Sequence, residues 1–247
     1  MATDEAILEA HLNSLVPPTL RLYQFSPPAV SLGYAQIIED NIRSRILAAG
    51  FDVVRRPTGG RAVLHFGDLT YAFICSSKGA QISEYILVSE SIATAYKQIC
   101  QALIIFLESY GVEITVGNTR NNYKDKNDCF LATTIADLQY RGNKLIGSAQ
   151  LRRKHAVLQH GSIILNQPQT LMHELINDDI FDANNHHANL YEITKFEPSI
   201  TSLEKEIIKG FQKTFNCRFI PEELTTYERG LVNRLKHKYQ NLVNQPC

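Results

Sequence analysis

Net charge is absent from this sequence, because twenty-five lysines and arginines balance twenty-five aspartates and glutamates over 247 residues. A neutral chain exerts little long-range pull on nucleic acid or on an anionic membrane, so neither is an expected partner. Long hydrophobic runs are absent too, and none approaches the length that crosses a bilayer. The opening "MATDEAILEAHLNSL" is acidic and lacks the basic and apolar regions of a secretory signal. The five cysteines are odd in number and show no C-x-x-C spacing. Reduced thiols in the cytoplasm are therefore expected, with no disulfide framework and no metal site. G-x-G-x-x-G, the P-loop, G-x-S-x-G and H-E-x-x-H are all missing. Dinucleotide binding, Walker-type hydrolysis and zinc proteolysis lose their easiest support.

What is present is ordinary for a globular enzyme: 44% apolar and 20% charged residues. There is no internal repeat. A chain of this length can bury one sizeable core, and a single domain over 1–247 is expected, with its core at about 18–196 and C-terminal helices at about 197–247.

Strand and helix signals are mixed. A helix is expected over 4–14, then strands at "TLRLYQF" and "PPAVSLGY". Asp40 reads as the N-cap of a helix that Gly50 closes. "FDVVRR", the turn Pro57–Gly60 and "RAVLH" read as a strand, a turn and a returning strand, followed by a buried "LTYAFICS". Ile92, Tyr96, Ile99, Leu103, Phe106 and Tyr110 alternate at spacings of four and three, which predicts a helix over 84–110 stopped by Gly111. "TTIADLQY", "RGN" and "KLIGSAQ" predict a hairpin, and "AVLQHGSIIL" another strand. Thr201-x-x-Glu204 and Thr225-x-x-Glu228 both match the capping box, so two helices close the chain. The fold class is α+β, a mixed β-sheet core flanked by helices.

Three clusters are chemically suggestive. In "RRPTGGRAVLH", Gly59 and Gly60 permit close backbone approach to a ligand, and Arg55, Arg56 and Arg61 supply cations. A surface hairpin with solvated arginines fits the same letters. In "NKLIGSAQ", Lys144 follows a tight turn within apolar surroundings, where reduced solvation would suit it to an acyl carbonyl. Gly147, Ser148 and Ala149 leave room for something narrow. A plain hairpin-tip lysine is the alternative. His160 beside Gly161 either meets a ligand or is a satisfied buried histidine. Cys129 lies in a polar segment near Lys124 and Lys126, where a thiol gains thiolate character. His186-His187 reads as a solvated loop.

"PPAVSLGYAQ", "RRPTGGRAVLH", "LTYAF", "NKLIGSAQ" and "LQHGSIIL", in that order, resemble the lipoate–protein ligase and octanoyltransferase family from about Leu20 to Asn166. The resemblance implies the fold shared with biotin–protein ligases and a tunnel for an octanoyl or lipoyl chain. It places Lys144 at the acyl carbonyl. Thr58, His65, His160 and Gly161 join Arg55, Arg56, Gly59, Gly60, Arg61 and the small residues 147–149 around the substrate. ATP-using members carry Gly-Gly-Gly-Ala-Val-x-His-Asp and then Gly-Asn. This chain has Arg61 at the third glycine and then Gly67-Asp68-Leu69-Thr70-Tyr71, which is similar to the short cysteine-dependent octanoyltransferases. Those members place a Cys-Phe pair ahead of the lysine hairpin, where Cys129-Phe130 stands, although "LATTIADL" departs from their Pro-Ser pattern. The implied partners are acyl carrier protein as donor and a lipoyl-carrier domain (glycine-cleavage H protein or a dehydrogenase E2) as acceptor. No cofactor is implied; ATP and magnesium belong to the ligase alternative. An amidotransferase between carrier domains and a non-catalytic acyl-carrier-binding protein remain as other readings.

Overall fold

The computed structural model describes residues 1–78, 86–117, 137–167, 169–176 and 187–242. Helix α1 (Ala2–Leu12) precedes β1 (Thr19–Tyr23) and β2 (Ala29–Leu32). Next come α2 (Asp40–Ala48), β3 (Asp52–Arg55), β4 (Val63–His65) and the long β5 (Asp68–Ser77). The middle holds β6 (Leu87–Val88), α3 (Ile92–Glu108), β7 (Thr115–Val116) and β8 (Leu138–Tyr140). Strands β9 (Asn143–Arg153) and β10 (Ala156–Ile164) then lead to α4 (Gln169–Ile176), α5 (Leu190–Thr194), α6 (Ile200–Phe215) and α7 (Thr226–Leu242). The α+β class expected from the sequence is what the chain adopts.

Strand β5 organises the larger sheet, ordered β1-β5-β10-β9-β8-β7, with β6 parallel against the end of β5. All ten of its residues are buried, because both faces of the sheet are covered. Successive side chains point to opposite faces. Tyr71, Phe73 and Cys75 join Leu103 and Phe106 of α3 and Ile207 and Phe211 of α6 in one cluster. Ala72 and Ile74 instead meet Ile7 and Leu8 of α1. Gly210 lets α6 approach α3 closely, since a Cβ there would lie 2.2 Å from the Ala102 carbonyl oxygen.

The terminal helices are joined through Glu5, which is buried on α1. It accepts from Lys238 at 2.8 Å, from the Tyr239 hydroxyl, and from Arg153 of β9. Burial alone would raise the Glu5 carboxyl; these donors from Lys238, Tyr239 and Arg153 hold it below the ordinary range instead.

Several expectations are corrected. "FDVVRR" and "RAVLH" do not pair as a hairpin: β2 lies between them in the order β3-β2-β4, parallel to β3 and antiparallel to β4. The helix expected over 84–110 begins at Ile92, because Leu87 and Val88 extend the sheet and the Ser91 hydroxyl caps the first turn. Asp40 is the first helical residue of α2, with Glu39 at the cap. Thr201 is not a cap, since Ser199 starts α6 and accepts from the Ser202 N–H at 3.2 Å.

The box at Thr225 is formed. Its backbone N–H donates to Glu228 Oε2 at 2.7 Å, and the Glu228 N–H returns to Thr225 Oγ1 at 3.2 Å. Substituting Thr225→Ala is therefore expected to cost about 1 kcal/mol, whereas Thr201→Ala stays within about 0.5 kcal/mol of wild type. Urea unfolding of the two variants side by side checks the difference.

Candidate active site

Lys144 is the anchor of the site. The β8–β9 hairpin turns through Arg141 and Gly142, with φ of 49° and 84°, the left-handed geometry that a two-residue turn requires. That turn sends β9 back into the sheet and places Lys144 in the interior at 1% exposure. Its ammonium lies 2.9 Å from Asp137 Oδ1, which is equally buried. A charged amine so enclosed needs a paired anion, since an uncompensated buried charge costs several kcal/mol. The sequence marked Lys144 but not Asp137, whose signal was an acid inside an otherwise apolar strand segment.

His187 approaches from the other side. It bridges Lys144 in parallel, and the Ala188 N–H donates to the Lys144 carbonyl at 2.8 Å. The solvated-loop expectation fails for His187, which is 5% exposed; His186 lies outside the described residues. Burial pulls the His187 imidazole down to about 4.

A cavity of about 300 Å³ opens against Lys144 and Asp137. Gly147, Ser148, Ala149, His160 and Gly161 line it from β9 and β10, and Arg56, Gly59, Gly60 and His65 line it from the smaller sheet and its turn. Gly161 cannot carry a side chain: a Cβ would sit 2.4 Å from the Gly147 carbonyl oxygen and 2.6 Å from the Tyr71 ring. That closeness lets the Tyr71 and Ser148 hydroxyls meet at 2.7 Å. Small residues here therefore serve close strand approach.

Arg55 and Arg56 have a different task from the one their charge suggested. Arg55 Nη1 donates to the carbonyls of Gly33, Tyr34 and Gln36 at 2.6–3.1 Å. Arg56 donates to the carbonyls of Ser31, Gly59 and Arg61. Both are about 5% exposed, so they clamp backbone where solvated side chains were one expectation. Arg56 alone of the three reaches the cavity wall. The clamp also explains Gly33, whose Cβ would fall 1.9 Å from the Gly60 carbonyl oxygen.

Beside the turn, His65 joins Ser31 and Asp68. Ser31 Oγ lies 2.8 Å from His65 Nε2, and His65 Nδ1 lies 2.9 Å from Asp68 Oδ2. Thr70 and Ser162 hydroxyls also donate to that carboxylate oxygen. The order hydroxyl, imidazole, carboxylate matches a nucleophilic triad. Ser31, however, sits in the central strand of its sheet, paired on both sides, which leaves no free N–H beside it for an oxyanion. The network fixes the cavity wall.

Cys129, with Lys124 and Lys126, lies outside the described residues. Of the described thiols, burial pushes Cys75 and Cys100 up to about 12, which removes them as nucleophiles at neutral pH.

The sequence profile of the lipoyl protein ligase A/B catalytic domain matches residues 1–212, and this chain belongs to that family. Octanoyltransferase LipM of Kyrpidia tusciae is 34% identical over 254 residues, covering 97% of this chain and 90% of the relative. The LipM of Clostridioides difficile is 35% identical, covering 98% and 91%. Among solved structures, a lipoate-protein ligase A bound with ATP superposes with a TM-score of 0.76 at 23% identity, over 96% of this chain and 88% of that one. A bipartite archaeal lipoate protein ligase from Thermoplasma acidophilum, studied with its E2 lipoyl domain, gives 0.73 at 21%, over 96% and 86%. At those identities the structures establish the fold. No helix among the described residues is long and apolar enough to cross a membrane.

The buried histidine makes stability pH-dependent. The unfolded imidazole takes up a proton near pH 6.5, and folded His187 resists it until about 4. Its contribution is thus present above pH 6.5 and is lost as pH falls from 6.5 to about 4. A thermal-melt series across that window is expected to show a falling Tm, with a shallower slope for His187→Asn.

Proposed function

We propose that this chain is an octanoyltransferase of protein lipoylation, taking an octanoyl group from acyl carrier protein to the lysine of a lipoyl-carrier domain. The full-length likeness to curated octanoyltransferases supports the reading, and one observation carries it into this molecule: a buried, carboxylate-paired ammonium, Lys144, on a cavity walled by small residues. That is the chemistry an acyl carbonyl requires.

The reaction runs in two exchanges. The Cys129 thiolate attacks the donor thioester carbonyl, forming an enzyme thioester while the carrier thiol leaves and gains a proton. The acceptor lysine amine then attacks the enzyme thioester, the C–S bond breaks as the amide forms, and the amine proton passes to the released Cys129 thiolate. In both steps the Lys144 ammonium donates to the carbonyl oxygen as negative charge grows. Asp137 holds the ammonium in place. One thioester replaces another before a downhill amide step, so no ATP is consumed.

Incubation with octanoyl-acyl carrier protein, without ATP, is expected to give a hydroxylamine-labile octanoyl adduct on Cys129, read by mass spectrometry. Transfer should vanish in Cys129→Ala. No adduct, with free lipoate and ATP modifying a carrier domain instead, would establish ligation in place of transfer. In steady-state assays, Lys144→Ala is expected to lose roughly a hundredfold to a thousandfold in kcat. Asp137→Asn, which keeps the amine but loosens it, should lose about tenfold or more. Equal loss from both at unchanged Tm would mean that Asp137 acts only through Lys144.

A further inference from the structure

A second buried chain of polar groups runs from α1 to the turn at the cavity. Asp4 has no exposed surface. Its Oδ1 accepts from Arg21 Nη1 at 2.7 Å, and its Oδ2 accepts from the Tyr23 hydroxyl at 2.9 Å. His160 Nδ1 lies 3.5 Å from the same Oδ2. On its far side, His160 Nε2 lies 2.7 Å from Thr58 Oγ1. Thr58 is also held by its carbonyl, which accepts from the Tyr34 N–H at 2.8 Å. The next residues, Gly59 and Gly60, line the cavity, as does His160 itself.

We propose that Asp4 is a positioning residue for the acyl site: acting through His160, it fixes the direction of the Thr58 hydroxyl and so holds the Pro57–Gly60 turn against the cavity. The argument is one of donors and acceptors. An ionised carboxylate only accepts, so the His160 nitrogen facing Asp4 carries the proton. A neutral imidazole has one N–H, so Nε2 is an acceptor and Thr58 must donate to it. Each link dictates the next, over a sequence separation no local interaction spans. The electrostatics agree. Burial lowers His160, against the neighbouring Asp4 carboxylate that raises it. Burial alone would raise Asp4, yet the α-ammonium group, His160 and Arg21 together hold its carboxyl well below the usual range.

The network adds a residue that the sequence did not single out, and it gives His160 a role as a connector as well as a wall. It rests on the octanoyl-transfer reading only where a rate is measured. The position of the proton and of the turn can be read without any substrate.

Nitrogen-15 imidazole spectra of the full chain are expected to show His160 protonated at Nδ1 in wild type. Finding the proton on Nε2 would overturn the proposal without any variant. Asp4→Asn should populate the other tautomer and move the Gly59 and Gly60 amide signals. In the transfer assay, Asp4→Asn and Thr58→Val should each lower kcat, on the order of tenfold to a hundredfold. The double variant should be little worse than either alone, because both break one chain. Arg21→Gln leaves Asp4 in place but loosens it from the far side, and should move the Gly59 and Gly60 amides and the rate in the same sense as Asp4→Asn, by less. Unmoved glycine amides in Asp4→Asn, or losses that multiply in the double variant, would each sink the proposal. A wild-type chain with no transfer activity would refute the octanoyl reading alone, and the spectra would still decide the role of Asp4.

Discussion

Holding an ammonium inside an apolar sheet is the constraint around which this fold is arranged. Lys144 is as buried as the leucine and isoleucine that follow it, and in such surroundings a charge survives only with an anion at contact distance. Asp137 supplies that anion from the neighbouring segment. The turn at Arg141-Gly142 brings the two together, and the bridge to His187 closes the far side. The rest of the sheet is covered by α3 and α6 on one face and by α1 on the other, while the pair itself faces the cavity.

The same economy governs the turn across the cavity. Arg55 and Arg56 are consumed by carbonyl oxygens, so this part of the cationic stretch is a backbone clamp. Buried guanidinium groups suit this because their planar array of donors can satisfy several acceptors at once. The cavity thus has two firm walls. One is a strand pair brought close by Gly161, and the other is a turn brought close by Gly33.

Local chemistry was legible in the sequence. The β8–β9 turn, the box at Thr225 and the face of α3 depend on residues within a few positions of each other. The family was legible because ordered motifs survive as letters. The pairing of β2 between β3 and β4 was not, since a hairpin and a threaded sheet carry the same alternation. Asp4 and Asp137 were also hidden. An acid in a helix or a short strand reads as solvated until its partner is known, and the partner of Asp4 lies on β10. Arg55 and Arg56 were seen as important, but composition does not distinguish a carbonyl of the chain from a ligand. Cys129 belongs to a segment for which the sequence alone speaks.

Glu5 has a consequence for how the protein is made. Synthesis delivers α1 before α7, so the acid on α1 leaves the ribosome before Lys238 and Tyr239 exist. Arg153 reaches it only when β9 has been translated. Until then, packing α1 onto the sheet would enclose an unpaired carboxylate. Full pairing of Glu5 therefore requires α1, β9 and α7 to be in place together.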